Sequence, residues 1–354
     1  MASSHKEQKE VVVITGASAG IGRATALAFA RSGAAVALLA RSRERLEELA
    51  REIEGEGGRA LAITLDVADA DQVERAAQQI EIELGPIHIW VNNAMATVFS
   101  RATDMTAQEY ARVTEVTYLG TVHGTLAALK YMRPRNYGTI IQVGSALAYR
   151  GIPLQSAYCA AKFAVRGFTD SLRVELMHEN SRVHLTMVQL AAFNTPQFDW
   201  ARCRTGAQPR PLAPIFQPEV AADAILWSAR HRRRELYVGF PALKAVIGNK
   251  LLPSLLDRVL CRRAISGQMD FSMPVPETGR DDNLFSPVES DFGAHGRFDA
   301  QARNGSLQLM LTQQRRLILG VAVAVAGIAT LAGGVNVYKN GRKKKNRLEK
   351  LLRR

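Results

Sequence analysis

Seven short apolar runs, separated by stretches of helical periodicity, constrain this chain more than any other feature. They read V-V-V-I-T (11–15), A-V-A-L-L-A (35–40), A-L-A-I-T-L-D (60–66), I-H-I-W-V-N (87–92), T-I-I-Q-V-G (139–144), V-H-L-T-M-V-Q-L (183–190) and E-L-Y-V-G (235–239). Most are almost continuously apolar, as expected of parallel strands buried on both faces. Amphipathic stretches lie between them, for example R-S-R-E-R-L-E-E-L-A-R-E-I (41–53) and D-Q-V-E-R-A-A-Q-Q-I-E-I-E-L (71–84). Repeated strand–helix units predict an α/β fold over 11–240, a doubly wound parallel sheet with helices on both faces. A polar tail, 1–10, precedes it and lacks the apolar core of a secretory signal.

Beyond Phe240 the pattern changes. Residues 241–265 read as a helical extension, two helices broken near Gly248 or Pro253. Residues 266–314 are polar, rich in Gly, Pro, Asp and Ser, and without periodicity, so an extended linker is expected. Residues 317–337 are apolar apart from one Thr and one Asn. Taken from 315, the segment matches the ~20 residues that span a bilayer, and a membrane helix is expected there. The tail 338–354 then holds nine Lys and Arg against one Glu.

That tail accounts for most of the formal net charge of +13. A basic run directly after an apolar segment points to a membrane surface. Nucleic acid is the weaker partner, because no base-reading motif accompanies the charge. The three cysteines, Cys159, Cys203 and Cys261, are too scattered for a disulfide framework or a zinc site. The seven histidines form no H-E-x-x-H or similar pair, so no metal is expected.

The first strand runs into T-G-A-S-A-G-I-G-R (15–23), where three glycines allow a tight turn and a close approach of ligand to backbone. The helix that follows would point its free N–H groups and positive dipole end at a pyrophosphate. The spacing G-x-x-x-G-x-G differs from the commoner G-x-G-x-x-G, and alone it is also compatible with an ordinary turn. The second strand ends in Ala40, Arg41, Ser42, Arg43. An acidic residue there would hold the 2′-hydroxyl of NAD. A guanidinium instead suits the 2′-phosphate of NADP, unless Arg41 merely opens the helix as a solvated residue. Further on, S-A-Y-C-A-A-K (156–162) places Tyr158 and Lys162 one helical turn apart.

Taken together, these motifs resemble the short-chain dehydrogenase/reductase family over roughly 9–240. The glycine turn, Asp66–Val67, Asn92–Asn93–Ala94, Gly144–Ser145 and the Tyr158-x-x-x-Lys162 pair stand in the family's order. The resemblance implies a Rossmann fold, NADP(H) as cofactor, and catalysis by Ser145, Tyr158 and Lys162. Cofactor contacts would come from Gly16, Ser18, Ala19, Gly20, Ile21, Gly22, Arg41, Asp66, Val67, Asn93, Ala94, Tyr158, Lys162 and Thr195. Two departures stand out. Thr117 occupies the place of the family's usual Asn, as the fourth member of the proton relay. The stretch L-A-A-F-N-T-P (190–196) replaces the usual Pro-Gly.

The implied chemistry is hydride transfer between NADP(H) and a carbonyl or alcohol. Tyr158 exchanges the proton, Lys162 lowers the Tyr158 pKa, and Ser145 holds the substrate oxygen. Residues 196–218, with five prolines, take the position of the family's variable substrate loop. Phe198, Trp200, Leu212, Ile215 and Phe216 either line an apolar pocket or pack the loop on the core. The reading is a membrane-associated reductase or dehydrogenase of a hydrophobic substrate, facing the cytoplasm, dimeric or tetrameric as the family commonly is. The rival is an NADP(H)-binding scaffold with little turnover.

Overall fold

A computed structural model describes residues 9–275, 281–289 and 293–315. The apolar segment 317–337 and the basic tail 338–354, expected to meet a membrane, lie outside the described residues. Among the described residues no helix is long and apolar enough to cross a bilayer.

Seven strands form one parallel sheet. They are β1 (Val11–Thr15), β2 (Ala35–Ala40), β3 (Arg59–Thr64), β4 (Ile87–Asn92), β5 (Thr139–Ser145), β6 (His184–Leu190) and β7 (Glu235–Val238). Their order is β7-β6-β5-β4-β1-β2-β3. The winding reverses between β1 and β4, and ligands of such sheets bind in the crevice at the carboxyl ends of the strands there. The apolar runs explain the order of burial: β1 and β2 are wholly buried, whereas edge strand β3 stays partly exposed and tolerates Arg59 and Thr64 at its ends.

Helices α1 (Gly20–Arg31), α2 (Arg43–Gly55) and α7 (Pro218–Arg230) cover one face. On the other lie α3 (Ala70–Glu83), α5 (Gly120–Arg135) and α6 (Ser156–His178), with α4 (Ala107–Thr114) packed beside α6. Asp69 caps α3 by accepting from the Gln72 amide at 3.0 Å. Thr106 and Glu109 form a reciprocal capping box on α4. A single π-helical turn, Glu115–Leu119, joins α4 to α5.

The helical extension forms α8 (Phe240–Leu251) and α9 (Pro253–Gly267). The break falls at Pro253, which has no N–H to continue α8 and suits the first position of α9.

Residues 266–314 depart from the expected extended linker. Met269–Pro274 pairs antiparallel with Ala207–Pro209. Ala302–Arg303 pairs with Ile215–Phe216, which in turn pairs with Ala192–Phe193. Between these strands the described residues 281–289 and 293–301 lie over the carboxyl ends of the sheet as a strap. Leu284 is wholly buried in the main core, and the Phe298 ring packs edge-on against Phe198 at 5.9 Å. Arg202 donates to Asp282 at 2.8 Å, and Asn194 and Gln217 donate to Asp299 at 2.8 and 2.9 Å. The strap is held by a few isolated apolar anchors and by polar pairs to distant elements. Neither produces a period of 2 or 3.6 along the sequence, so the segment reads as linker. The described residues from 307 onward are a separate short helix, Leu307–Gln313.

Candidate active site

The glycine turn connects β1 to α1 and is fastened from β4. The Thr15 hydroxyl accepts from the amides of Asn93 at 3.0 Å and Ala94 at 3.1 Å. The Asn93 side chain donates to the carbonyls of Thr15 and Gly16 at 3.0 and 3.2 Å. Gly16 sits at φ +67°, and a Cβ on it would lie 2.9 Å from the Ala94 Cα. A Cβ on Gly22 would lie 2.0 Å from the Gly16 carbonyl oxygen, so no side chain fits there. Helix α1 begins after Ala19, which offers no side-chain cap to its first amides. One of those amides, Gly20, donates to the Gly293 carbonyl of the strap at 3.1 Å.

A cavity of about 180 Å³ lies over this turn. Gly16, Ser18, Ala19, Gly20, Ile21, Arg41, Asp66, Val67, Asn93, Ala94 and Thr195 all line it. Gly22 does not line it, because it packs behind the turn on Gly16. Tyr158 and Lys162 line a second, larger cavity of about 360 Å³ with Ser145. Ile21, Asn93, Met95, Thr195 and Gln197 border both, so the two cavities adjoin.

Arg45, Asn283, Pro287 and Val288 line the smaller cavity and are absent from the sequence reading, which names Trp200 only as a pocket or packing residue of the loop. Arg45 lies one turn after Arg41 on α2, a spacing that could have revealed it. Trp200 comes from the substrate loop, with the Arg45 guanidinium 5.6 Å over its ring. Asn283, Pro287 and Val288 come from the strap, for which the sequence carries no signal. Arg41 is neither solvated nor free. Its guanidinium donates to the carbonyls of Asn283, Leu284 at 3.3 Å and Phe285 at 3.1 Å, and burial lowers its pKa. Arg45 donates to the Val288 carbonyl. Asp66 forms an ion pair with Arg112, whose Nε donates to the Leu284 carbonyl at 3.0 Å. Strap and cavity floor are thus tied together by three arginines.

The larger cavity holds the reactive side chains. Lys162 is buried, its Nζ 5.6 Å from the Tyr158 ring centroid, and it donates to the Val143 carbonyl at 2.7 Å. Ser145 lies beside Tyr158 and favours its ionised form, and the Ser145 Oγ accepts from the Leu147 amide at 3.1 Å. Burial dominates both ionisations: it raises the Tyr158 phenol and lowers Lys162 to about 8. The expected depression of the Tyr158 pKa is therefore not found, because desolvation outweighs the opposing effect of Ser145.

Thr117 also departs from expectation. It is buried in the π turn, donates to the Ala96 carbonyl at 3.1 Å and accepts from the Ala96 amide at 3.0 Å. It lines neither cavity. The Thr117 hydroxyl is thus spent on the Ala96 backbone and clamps the turn. Of the loop residues, Phe198 and Leu212 line the larger cavity, Trp200 the smaller, and Ile215 and Phe216 pack in the three-stranded sheet. Pro241, Ala242, Ala245, Leu256 and Leu260 of α8 and α9 complete an apolar wall.

This sheet order, this glycine turn and a Ser–Tyr–Lys group at one cavity define an oxidoreductase of the Rossmann type. The family model described as short chain dehydrogenase matches residues 10–202, and the chain belongs to that family. It is 34% identical over 329 residues to the oxidoreductase YxnA of Bacillus subtilis, covering 92% of this chain and 91% of that one. It is also 34% identical over 270 residues to the probable oxidoreductase EphD of Mycobacterium tuberculosis, covering 72% and 45%. Among solved structures it resembles an alcohol dehydrogenase of the archaeon Thermococcus sibiricus complexed with 5-hydroxy-NADP. That match has 28% identity and a TM-score of 0.56, over 65% of this chain and 96% of that one. A metagenomic short-chain oxidoreductase in complex with NADP matches at 26% identity and TM-score 0.55, with the same coverage.

Proposed function

We propose that this protein interconverts a carbonyl and a primary or secondary alcohol on a hydrophobic substrate, using NADP(H). The observation that carries the reading is the junction of the two cavities: a tight glycine turn on one side, Ser145, Tyr158 and Lys162 on the other. The fit to a dinucleotide rests on Gly16 and Gly22, where any Cβ would collide with backbone. Arg41, in place of an acidic residue at the end of β2, supports NADP(H) over NAD(H), as do the two NADP-type complexes among its structural relatives. Gly16, Ser18, Ala19, Gly20, Ile21, Asp66, Val67, Asn93, Ala94 and Thr195 would hold the cofactor, which supplies or accepts the hydride.

The side chains manage the proton. Tyr158 donates a proton to a carbonyl oxygen in its neutral form and takes one from an alcohol in its ionised form, so it serves either direction of the reaction. Ser145, at the same cavity as Tyr158, orients the same oxygen. Lys162 carries a proton below about pH 8, a ready source for replenishing Tyr158. The wall formed by Phe198, Leu212, Ala242, Leu256 and Leu260 supports an apolar substrate.

The apolar run 317–337 and its basic tail support association with a membrane. Charge bias draws the tail to the cytoplasm, so a catalytic part on the same side requires a re-entrant or interfacial placement of the run and not a simple span. Exposed Leu126, Phe163, Val174 and Met177 on α5 and α6 support pairing into a dimer or tetramer.

The test is NADPH oxidation against hydrophobic aldehydes, ketones, steroids and quinones, with NADH and Tyr158→Phe alongside. Turnover with NADPH that falls by about 10²–10⁴ in Tyr158→Phe, with cofactor binding retained, is the expected result. Tight NADPH binding without turnover on any compound would shift the reading to a binding protein.

A further inference from the structure

We propose that the outer face of α8 and α9 docks on an anionic lipid surface. The two helices are two-sided. Ala242, Ala245, Leu256 and Leu260 point inward and wall the larger cavity. Leu251, Leu252 and Leu255, at the turn between the helices, are 71%, 58% and 52% exposed. Ile247, Val259 and Ile265 extend the exposed apolar strip along both helices. Soluble surfaces rarely gather this many large apolar side chains in one place without a partner.

The charges on the same helices select the partner. Lys244, Lys250, Arg258, Arg262 and Arg263 are all exposed. Asp257 is the single acid of the pair, and Arg150 neutralises it. Arg258 and Arg262 follow Leu255 at helical spacings of three and seven, so cations and leucines share one face. A second copy of the chain, meeting this face about a two-fold axis, would set cations against cations. An anionic bilayer answers both features. Leucines at the turn enter the acyl boundary, and long basic side chains reach back to the headgroups. The docked helices are the same ones that wall the larger cavity, which places that wall at the lipid boundary.

The test uses the full chain and reads the environment of a single residue, so it is independent of the reaction assigned above. Cys159 and Cys203 are buried and Cys261 is exposed. An environment-sensitive fluorophore is therefore placed on Val259→Cys in a Cys261→Ser background, with exposed Ile82→Cys on α3 as the reference position. Phosphatidylcholine vesicles containing phosphatidylserine should blue-shift the label at 259, and nitroxide-labelled lipid should quench it. The label at 82 should show neither effect. Lys250→Gln, Arg258→Gln and Arg262→Gln together should weaken the response about tenfold or more, as should high salt. No shift at 259 would overturn the proposal. So would a shift that appears without vesicles and grows with protein concentration, which would mark self-association. Equal shifts on pure phosphatidylcholine would overturn the selection of anionic lipid.

Discussion

The Arg41 guanidinium, just past the end of β2, donates to the Phe285 carbonyl at 3.1 Å across 244 residues of chain. The residue that the sequence marks for a 2′-phosphate is thus also a clasp for the strap. A guanidinium has five N–H donors, so it can hold backbone carbonyls and a phosphate together. Arg45, bonded to the Val288 carbonyl one turn along α2, doubles the clasp. The NADP(H) pocket and the C-terminal strap are therefore one construction.

Arg41→Ala should raise the Kd for NADPH by about 10–100-fold, the usual worth of a hydrogen bond to a charged group. The Kd for NADH should change little, since it lacks the 2′-phosphate. Arg41→Lys should recover part of the loss, because a point charge replaces a planar fork. Equal losses for the two cofactors would show that Arg41 acts only by holding the strap. Titration of both nucleotides by fluorescence decides between these outcomes.

Lys162 makes a second prediction, on stability against pH. Its ordinary value is 10.5 and burial lowers it to about 8 in the folded chain. Between those values the unfolded chain binds more protons, so stability gains as pH rises from about 8 to 10.5. Below about 8 the cost of burying the charge is fully present, roughly 3 kcal/mol at 1.36 kcal/mol per pKa unit. Lys162→Met should therefore raise the unfolding midpoint in urea at pH 7, and the gap should close near pH 10.5. Its turnover should be lost at every pH. A destabilised Lys162→Met at pH 7 would mean that the bond to Val143 outweighs desolvation.

The sequence makes the sheet legible because burial on both faces leaves nearly unbroken apolar runs, as in Val11–Ile14 and Ala35–Leu39, all wholly buried. The glycine turn is legible because Gly16 and Gly22 leave no room for another residue. Ser145, Tyr158 and Lys162 are legible through spacing on β5 and α6. What stays hidden depends on contacts between distant segments. Leu284 is a single buried leucine in a polar stretch, and nothing nearby announces that it closes over Arg112 and Arg41. The bonds of the Thr117 hydroxyl to Ala96, 21 residues away, are hidden for a related reason. The Tyr158 pKa is misread because burial depends on the whole fold and not on the neighbouring lysine alone.

Gly22→Ala tests the turn. The added methyl would meet the Gly16 carbonyl oxygen, a backbone atom that cannot swing aside as a side chain can. Relief requires α1 to shift away from the turn, at about 1–3 kcal/mol. NADPH binding should fall by at least about tenfold while the far-UV spectrum of the α/β fold is retained. Unchanged NADPH affinity in a folded Gly22→Ala protein would remove the glycine turn from the binding site.

Leu284→Ala tests the strap. Leu284 is wholly buried in the main core, and its carbonyl accepts from Arg41 and Arg112. Truncating a fully buried leucine costs about 2–5 kcal/mol when the surroundings cannot collapse. The change should also loosen the carbonyls that hold the two arginines, so NADPH affinity should drop together with stability. Urea unfolding and NADPH titration on the same preparation separate the two effects. A loss under about 0.5 kcal/mol, the range of ordinary surface substitutions, would mean that residues 281–289 do not share the core in solution. A large stability loss with unaltered NADPH binding would mean that the strap belongs to the fold but not to the cofactor site.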